Sequence, residues 1–192
     1  DESELIKTVE MCKNPENTTV ITGDLRDSHV MPRLSYFADL YGVQYLVCCA
    51  GEYLHGSLSE YSIKQVRDIL GSNLMATIEL IQWIYERMHD TKYGSIIHIN
   101  SVAGKSIDSK EPVYCAGKHG MAAFLKALRF DARQHNIRVM DVFLGATQTP
   151  MTEGRDGYEK MIDVQTAAYL IYTNAIMYQK TAQIEELHIG RF

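Results

Sequence analysis

Short apolar segments alternate with longer segments of helical periodicity along most of this chain. The strand-like segments are rich in β-branched and other apolar residues, and we predict strands at 18–21, 44–49, 95–100, 137–143 and 185–190. Between them, apolar residues recur at intervals of three and four, which predicts helices at 3–13, 27–41, 60–88, 114–135 and 165–180. Strands that alternate with helices form parallel sheets with right-handed crossovers. The pattern therefore predicts an α/β domain built on a parallel sheet.

Composition limits the chain to an ordinary globular class. The 192 residues are 46% hydrophobic and 22% charged, which fits a single domain over 1–192. A net charge of −5 without a basic cluster argues against a nucleic-acid partner. No apolar run reaches the roughly 18 residues of a membrane span, and the first ten residues, DESELIKTVE, are not a signal peptide. The four cysteines lack metal-site spacing, so we predict reduced thiols, no metal and a cytoplasmic protein.

The segment 96–118 carries residues suited to acid–base chemistry. Pro112 stands where a helix commonly begins, so Tyr114 and Lys118 project from one helical face, four positions apart. A nearby ammonium favours the phenolate and lowers the pKa of a tyrosine from its ordinary value of about 10. Ser101, at the carboxyl end of a strand, is placed to hydrogen-bond the same reacting oxygen. Taken alone, Tyr-x-x-x-Lys fits equally well a helix start with a solvated lysine.

Four residues in order resemble the active-site signature of the short-chain dehydrogenase/reductase family: Asn73, Ser101, Tyr114 and Lys118. The resemblance implies an NAD(P)-dependent oxidoreductase that transfers a hydride between the nicotinamide cofactor and a carbonyl or secondary alcohol. Tyr114 is then the general acid or base, Lys118 lowers its pKa and binds the ribose, and Ser101 holds the substrate oxygen. Asn73 anchors a water of a proton relay from a distorted helix. The alternative for Asn73 is an exposed side chain on a packed helix.

The resemblance also assigns residues to the cofactor. Asp24 and Leu25 border the adenine, Ala50 and Gly51 line the cofactor, and the remaining contacts come from Tyr114, Lys118, Gly145 and Thr149. Taken alone, Asp24 also fits a turn or helix cap, and the segment around Gly145 also fits a plain loop. Three residues depart from the family pattern: Cys48 and Cys49 replace two asparagines, and Leu144 replaces a proline.

The glycine-rich turn that holds a dinucleotide pyrophosphate is absent from these 192 residues. The family strand order is 3-2-1-4-5-6-7, so we expect a Rossmann-like, doubly wound parallel sheet without its first two strands. The segments 18–22 and 44–49 should not be neighbours, and a preceding segment of roughly 30–45 residues should supply the missing βαβ unit. The alternative is a non-catalytic binding or scaffold protein that has lost its cofactor site.

Substrate and assembly are the remaining expectations. The sequence does not choose between NAD and NADP. We expect the substrate to be selected by a mobile lid at 151–163, by Val102, Ala103 and Gly104, and by Tyr53. The two long helices carry apolar residues on several sides, which predicts a homodimer or homotetramer, with a thick monomeric core as the alternative. The residues behind this expectation are Ile81, Trp83, Ile84, Phe124 and Leu128.

Overall fold

A computed structural model describes residues 2–176 and 182–191. The helices in this part of the chain are α1 (Glu2–Glu10), α2 (Val30–Tyr41), α3 (Ile63–Leu70), α4 (Ala76–Thr91), α5 (Pro112–Ala132) and α6 (Val164–Ile171). The strands are β1 (Tyr45–Cys48), β2 (Gly94–Ser101), β3 (Ile137–Leu144) and β4 (Glu186–Ile189). Within these residues, no helix combines the length and apolarity of a membrane span.

The four strands form one parallel sheet in the order β1-β2-β3-β4. Val47 of β1 stands opposite Ile97 of β2, which stands opposite Met140 of β3, and Val142 of β3 pairs with Leu187 of β4. Because all strands are parallel, their carboxyl ends meet at one edge, where ligands of open α/β sheets bind. The predicted α/β class is confirmed. The strands are neighbours in the order in which they follow along the chain, as are strands 4-5-6-7 of the expected family order.

Helices cover both faces of this sheet. Successive strand residues point to opposite faces, so Ile96 packs into a core with α4 and α5, while Ile97 packs into a second core with α6. The first core includes Leu125 of α5 and the second includes Ala167 of α6, both essentially inaccessible to solvent. The doubly wound arrangement is therefore confirmed.

The predicted strand at 18–21 is wrong, because this segment is unpaired in the structure. β-Branched residues favour an extended backbone, but a strand also needs a hydrogen-bonded neighbour. In the described part of the sheet, β1 is an edge strand with Val47 43% exposed. The expectation that 18–22 and 44–49 are not neighbouring strands is confirmed, and Asp24 does not follow a strand.

Two predicted helices are interrupted by π-helical turns. The predicted helix at 60–88 divides into α3, a π-helical turn over Gly71–Met75, and α4. The second, predicted at 165–180, is α6 followed by a π-helical turn over Tyr172–Ile176, and its last four residues lie outside the described part. Such turns often occur at functional sites, and the first of them contains Asn73.

Candidate active site

Ser101, Tyr114 and Lys118 meet at the carboxyl edge of the sheet. β2 ends at Ser101, and Pro112 occupies the first turn of α5, so the tyrosine and lysine share one helical face. Tyr114 is 8% exposed and Lys118 is 5% exposed. The Lys118 Nζ lies 5.7 Å from the centroid of the Tyr114 ring. The sequence-predicted trio is thus brought together in a largely dry environment.

The acid–base balance of this trio differs from the sequence expectation. Burial raises the pKa of the Tyr114 phenol above its ordinary value, and hydrogen bonding with Ser101 acts in the opposite direction without cancelling it. Burial also lowers the pKa of Lys118 to about 8, against attraction from Asp141 and Cys49. The predicted lowering of the tyrosine pKa is therefore not found, because desolvation of the phenolate outweighs its stabilisation.

Asn73 is 1% exposed, and its side-chain amide binds both backbone polar groups of Glu52. Its Oδ1 accepts a hydrogen bond from the Glu52 N–H at 2.7 Å, and its Nδ2 donates to the Glu52 carbonyl at 2.7 Å. The π-helical turn over Gly71–Met75 directs the Asn73 side chain toward Glu52. A Cβ on neighbouring Gly51 would lie 3.0 Å from the Asn73 Oδ1. Asn73 therefore ties the loop after β1 to the π-helical turn, and the alternative of an exposed asparagine is excluded.

Ser101, Tyr114 and Lys118 line an open cleft of about 790 Å³ at the carboxyl edge of the sheet, and Asn73 is not among its lining residues. Its walls come from the ends of β1, β2 and β3, the start of α5, the loop after β3, and α6. The sequence-predicted residues among its lining are Gly51, Ser101, Tyr114, Lys118, Gly145 and Thr149. Asp24, Leu25 and Ala50 are not among the lining residues of this cleft.

Asp24 is held at the surface by an ion-pair network. Its Oδ2 lies 2.6 Å from the Arg26 Nη2, and the hydrogen bonds from Arg26 lower the pKa of the Asp24 carboxyl. The same guanidinium nitrogen lies 3.1 Å from the Glu52 Oε1. Because Glu52 lines the cleft, this network joins Asp24 to its rim.

The loop at 151–163 closes one side of the cleft and is tied at both ends. The Gln148 N–H donates to the Ile162 carbonyl at 2.9 Å, and the Ile162 N–H donates to the Ala146 carbonyl at 3.0 Å. Thr152 is 7% exposed, and its hydroxyl donates to the Thr147 carbonyl at 2.5 Å. The ends of this loop are therefore held in place by hydrogen bonds. That the loop moves as a lid stays a prediction.

A wall beside Tyr114 contains Tyr53, Glu111 and Arg155. The sequence predicted a role in substrate selection for Tyr53 and for the segment that holds Arg155, but none for Glu111. The Tyr53 hydroxyl donates a hydrogen bond to the Glu111 carboxylate. The Tyr53 ring meets the Tyr114 ring edge-on at 5.1 Å between centroids, and the Arg155 guanidinium lies 5.0 Å from the Tyr53 centroid.

Sequence reasoning also missed a buried polar cluster beneath Lys118. His98 and Asn100 point from β2 toward Asp141 on β3, and all three are no more than 3% exposed. The signal in the sequence was the presence of polar residues at inward positions of two otherwise apolar strands. Buried polar groups at such positions need partners, and here they supply them to one another.

A family model described as short chain dehydrogenase matches residues 1–160. Sepiapterin reductase from Chlorobaculum tepidum is 32% identical over 136 residues, which are 70% of this chain and 56% of that protein. Carbonyl reductase family member 4 from Xenopus tropicalis is 32% identical over 126 residues, 65% of this chain and 53% of that protein. The chain thus spans slightly more than half the length of these curated relatives.

Solved structures show the same fold. ElxO with NADP bound superposes with a TM-score of 0.85 at 20% identity, covering 98% of this chain and 83% of that one. A short-chain dehydrogenase/reductase from Vibrio parahaemolyticus superposes with a TM-score of 0.84 at 20% identity, covering 100% of this chain and 86% of that one. At this identity the likeness establishes the fold, a Rossmann-like parallel sheet flanked by helices.

Proposed function

Because this chain belongs to the short-chain dehydrogenase family, we propose that the protein transfers a hydride between a nicotinamide dinucleotide and a carbonyl or secondary alcohol. The observation that carries the proposal is the convergence of Ser101, Tyr114 and Lys118 on one wall of a cleft large enough for small ligands. The curated relatives with reductase names support the same reaction class.

The residues present fit the nicotinamide end of such a cofactor. Gly51 and Gly145 leave bare backbone in the cleft wall, and a Cβ on Gly51 would approach the Lys118 Nζ to 3.7 Å. A planar ring and its ribose can therefore come close to the lysine. When bound, the nicotinamide supplies or accepts the hydride. We propose that Lys118 holds the ribose and that Gly145 and Thr149 face the nicotinamide, while Asp24, Leu25 and Ala50 lie toward the adenine.

Tyr114 is proposed to handle the proton at the substrate oxygen. Because burial raises the pKa of this phenol, it is protonated at neutral pH and suited to donate its proton as a carbonyl is reduced. The Ser101 hydroxyl stabilises negative charge that develops on the same oxygen. The charged Lys118 beside the ring favours the tyrosinate that the transfer leaves behind. Asn73 keeps the loop after β1 in place and is proposed to lie on the route of the replacement proton.

The wall formed by Tyr53, Glu111 and Arg155 is proposed to select the substrate. It abuts the Tyr114 ring, which places it beside the groups attached to the reacting carbon. The Glu111 carboxylate accepts a hydrogen bond from Tyr53, and the Arg155 guanidinium lies over the Tyr53 ring. Variation at these positions should change substrate preference while leaving the hydride and proton steps intact.

The direct test of this function is cofactor binding followed by turnover. Saturating NADH or NADPH should raise the melting temperature, because a ligand at about 100 times its dissociation constant stabilises a protein by about 2.7 kcal/mol. A panel of aldehydes and ketones should then show consumption of the reduced nicotinamide. Gly51→Val, which fills the cleft wall next to Lys118 and Asn73, should abolish both effects. Absence of binding and turnover with both cofactors would favour the non-catalytic alternative.

We also propose that the protein is a dimer or tetramer in solution. Ile81 and Ile84 lie in the core, so they cannot serve as interface residues, which corrects the sequence reasoning. Phe124 and Leu128 remain partly buried against that core, and Trp83 is 41% exposed. Fewer residues than expected are therefore available for a subunit interface, and they lie on the outer faces of α4 and α5.

Light scattering at micromolar concentration should give at least twice the monomer mass. Ala127→Glu places a charge on the exposed face of α5 and should shift the mass toward the monomer, because an unpaired charge in an interface is costly. Ser109→Glu makes the same charge change in the exposed loop before α5 and should leave the mass unchanged. A monomer mass for the unmodified protein would refute the proposal.

The cellular location stays a prediction. Cys12, Cys48, Cys49 and Cys115 are all free thiols in the structure. Free thiols fit a reducing compartment, which supports the proposal of a cytoplasmic protein.

A further inference from the structure

A buried carboxylate lies behind the active-site lysine. The Asp141 Oδ1 accepts a hydrogen bond from the His98 Nδ1 at 2.9 Å, and its Oδ2 accepts one from the Asn100 Nδ2 at 2.9 Å. The same Asn100 nitrogen donates to the Lys118 backbone carbonyl at 3.2 Å. Two donors therefore satisfy both oxygens of this buried carboxylate. One amide thus joins the carboxylate on β3 to the first turns of α5.

The groups around the Lys118 ammonium are, with one exception, neutral. Burial raises the pKa of the Cys49 thiol and that of the Tyr114 phenol, so both are protonated at neutral pH. Burial lowers the pKa of His98, so its imidazole is neutral and donates through Nδ1–H. Asp141 is the one carboxylate among the groups that raise the pKa of Lys118 in the described part of the chain. A buried ammonium without a counter-ion loses its proton or destabilises the fold.

Arg129 is the competing partner for this charge. It lies on α5, is 4% exposed, and feels the attraction of Asp141. However, its guanidinium already donates to the Val139 and Glu185 carbonyls at 3.0 Å and 2.5 Å. It also lies 3.6 Å from the Glu186 carboxylate. Arg129 therefore has its own acceptors and its own anion, which leaves the charge of Asp141 available to Lys118.

We infer that Asp141 is the counter-ion of Lys118, a positioning residue that keeps this lysine charged inside the buried site and so sets the alkaline limit of the reaction. The inference rests on the proposed function for its catalytic consequence, but not for the charge interaction itself. Asp141 acts at Tyr114 and at the cofactor through Lys118 and touches neither.

The sign of the effect follows from the lysine. Lys118 has a pKa of about 8, so it is charged below that pH and loses its charge as pH rises through it. Tyr114, whose pKa is raised, keeps its proton at that point, so the first alkaline loss of carbonyl reduction belongs to Lys118. Removing the attraction of Asp141 lowers the pKa of Lys118 further. Activity should then fail at lower pH.

The first test measures Lys118 directly, without cofactor and without turnover. Nuclear magnetic resonance of the protein labelled at lysine Cε and Nζ, with the Lys118 signal assigned by its loss in Lys118→Arg, should give a titration midpoint near 8. In Asp141→Asn the midpoint should fall by about 1 or more. The asparagine can keep both hydrogen bonds, because neutral His98 can accept through Nδ1 from the new amide. An unchanged midpoint, or a wild-type Lys118 already neutral at pH 7, would overturn the inference.

The second test separates charge from packing. In Asp141→Asn, the alkaline limb of the kcat/KM profile should move to lower pH by about 1. Val139→Ala, a cavity on the same face of the same strand, should lower stability but leave that limb in place. Asp141→Thr, a neutral residue with high strand propensity, repeats the measurement if the asparagine variant does not fold. A limb that moves equally in Val139→Ala would show a merely structural role. Failure of turnover in the unmodified protein would count against the proposed function, while the lysine titration still decides the counter-ion.

Discussion

Replacement of Tyr114 by phenylalanine is expected to lower kcat/KM by about 10²–10⁴-fold and to leave the melting temperature nearly unchanged. The phenylalanine ring keeps the edge-on contact with Tyr53 at 5.1 Å between centroids and the packing around α5, so the fold loses little. What disappears is the proton donor on the cleft wall. The measurement is steady-state kinetics with the best carbonyl substrate, together with thermal unfolding of both proteins.

Tyr61→Phe is the matched control for this variant. The Tyr61 hydroxyl donates to the Gly56 carbonyl at 2.8 Å, outside the residues that line the cleft. Its removal should cost about 1 kcal/mol of stability and change kcat/KM only slightly. If Tyr114→Phe retained activity within a factor of a few of the unmodified protein, Tyr114 would not be the proton donor.

Replacement of Lys118 by alanine should weaken nicotinamide binding and change the pH–rate profile together, because one ammonium is proposed to serve both the ribose and Tyr114. A hydrogen bond to a charged group contributes about 1.5–3 kcal/mol, which corresponds to about 10–100-fold in affinity. Because Lys118 has a pKa of about 8, its deprotonation should set the alkaline limb of carbonyl reduction, and that limb should be missing in the alanine variant. Calorimetric binding and pH–rate profiles measure the two effects.

Two further substitutions sharpen the lysine test. Lys118→Arg should not restore activity, because a planar guanidinium does not fit the place of a compact ammonium in a site that is 5% exposed. Lys126→Ala removes an exposed lysine from the same helix and should leave both properties unchanged. A pH–rate profile that is the same with and without Lys118 would count against its coupled role.

The fold class could be predicted because its signals are local. Apolar runs of strand length and helical periodicity can be recognised from residues that are close in the sequence. Parallel strands bring their carboxyl ends to one edge of the sheet whatever the details of side-chain packing. The spacing of Tyr114 and Lys118 is one helical turn, so the sequence already placed both on one face. Ser101 reached the same site because it ends a strand. Secondary structure and strand topology were therefore sufficient to predict that these three residues meet.

Other features depend on contacts between distant segments, which the sequence does not display. The segment 18–21 has strand-forming residues but no neighbour in the described sheet, so propensity gave the wrong answer. Tyr53 and Glu111 are 58 positions apart, and only folding makes them one wall. Asn73 has both sides of its amide bound to Glu52 because a π-helical turn points it there.

Charge in the site was decided by burial, which is a property of the whole fold. From the sequence, the ammonium of Lys118 was expected to acidify Tyr114. In the structure, both groups are nearly inaccessible to solvent, and desolvation raises the pKa of the phenol and lowers that of the amine. The sequence by itself determined which groups meet at the carboxyl edge of the sheet. The tertiary structure decided their protonation and placed Asp141 behind the lysine, because desolvation and long-range attraction depend on everything packed around a charge.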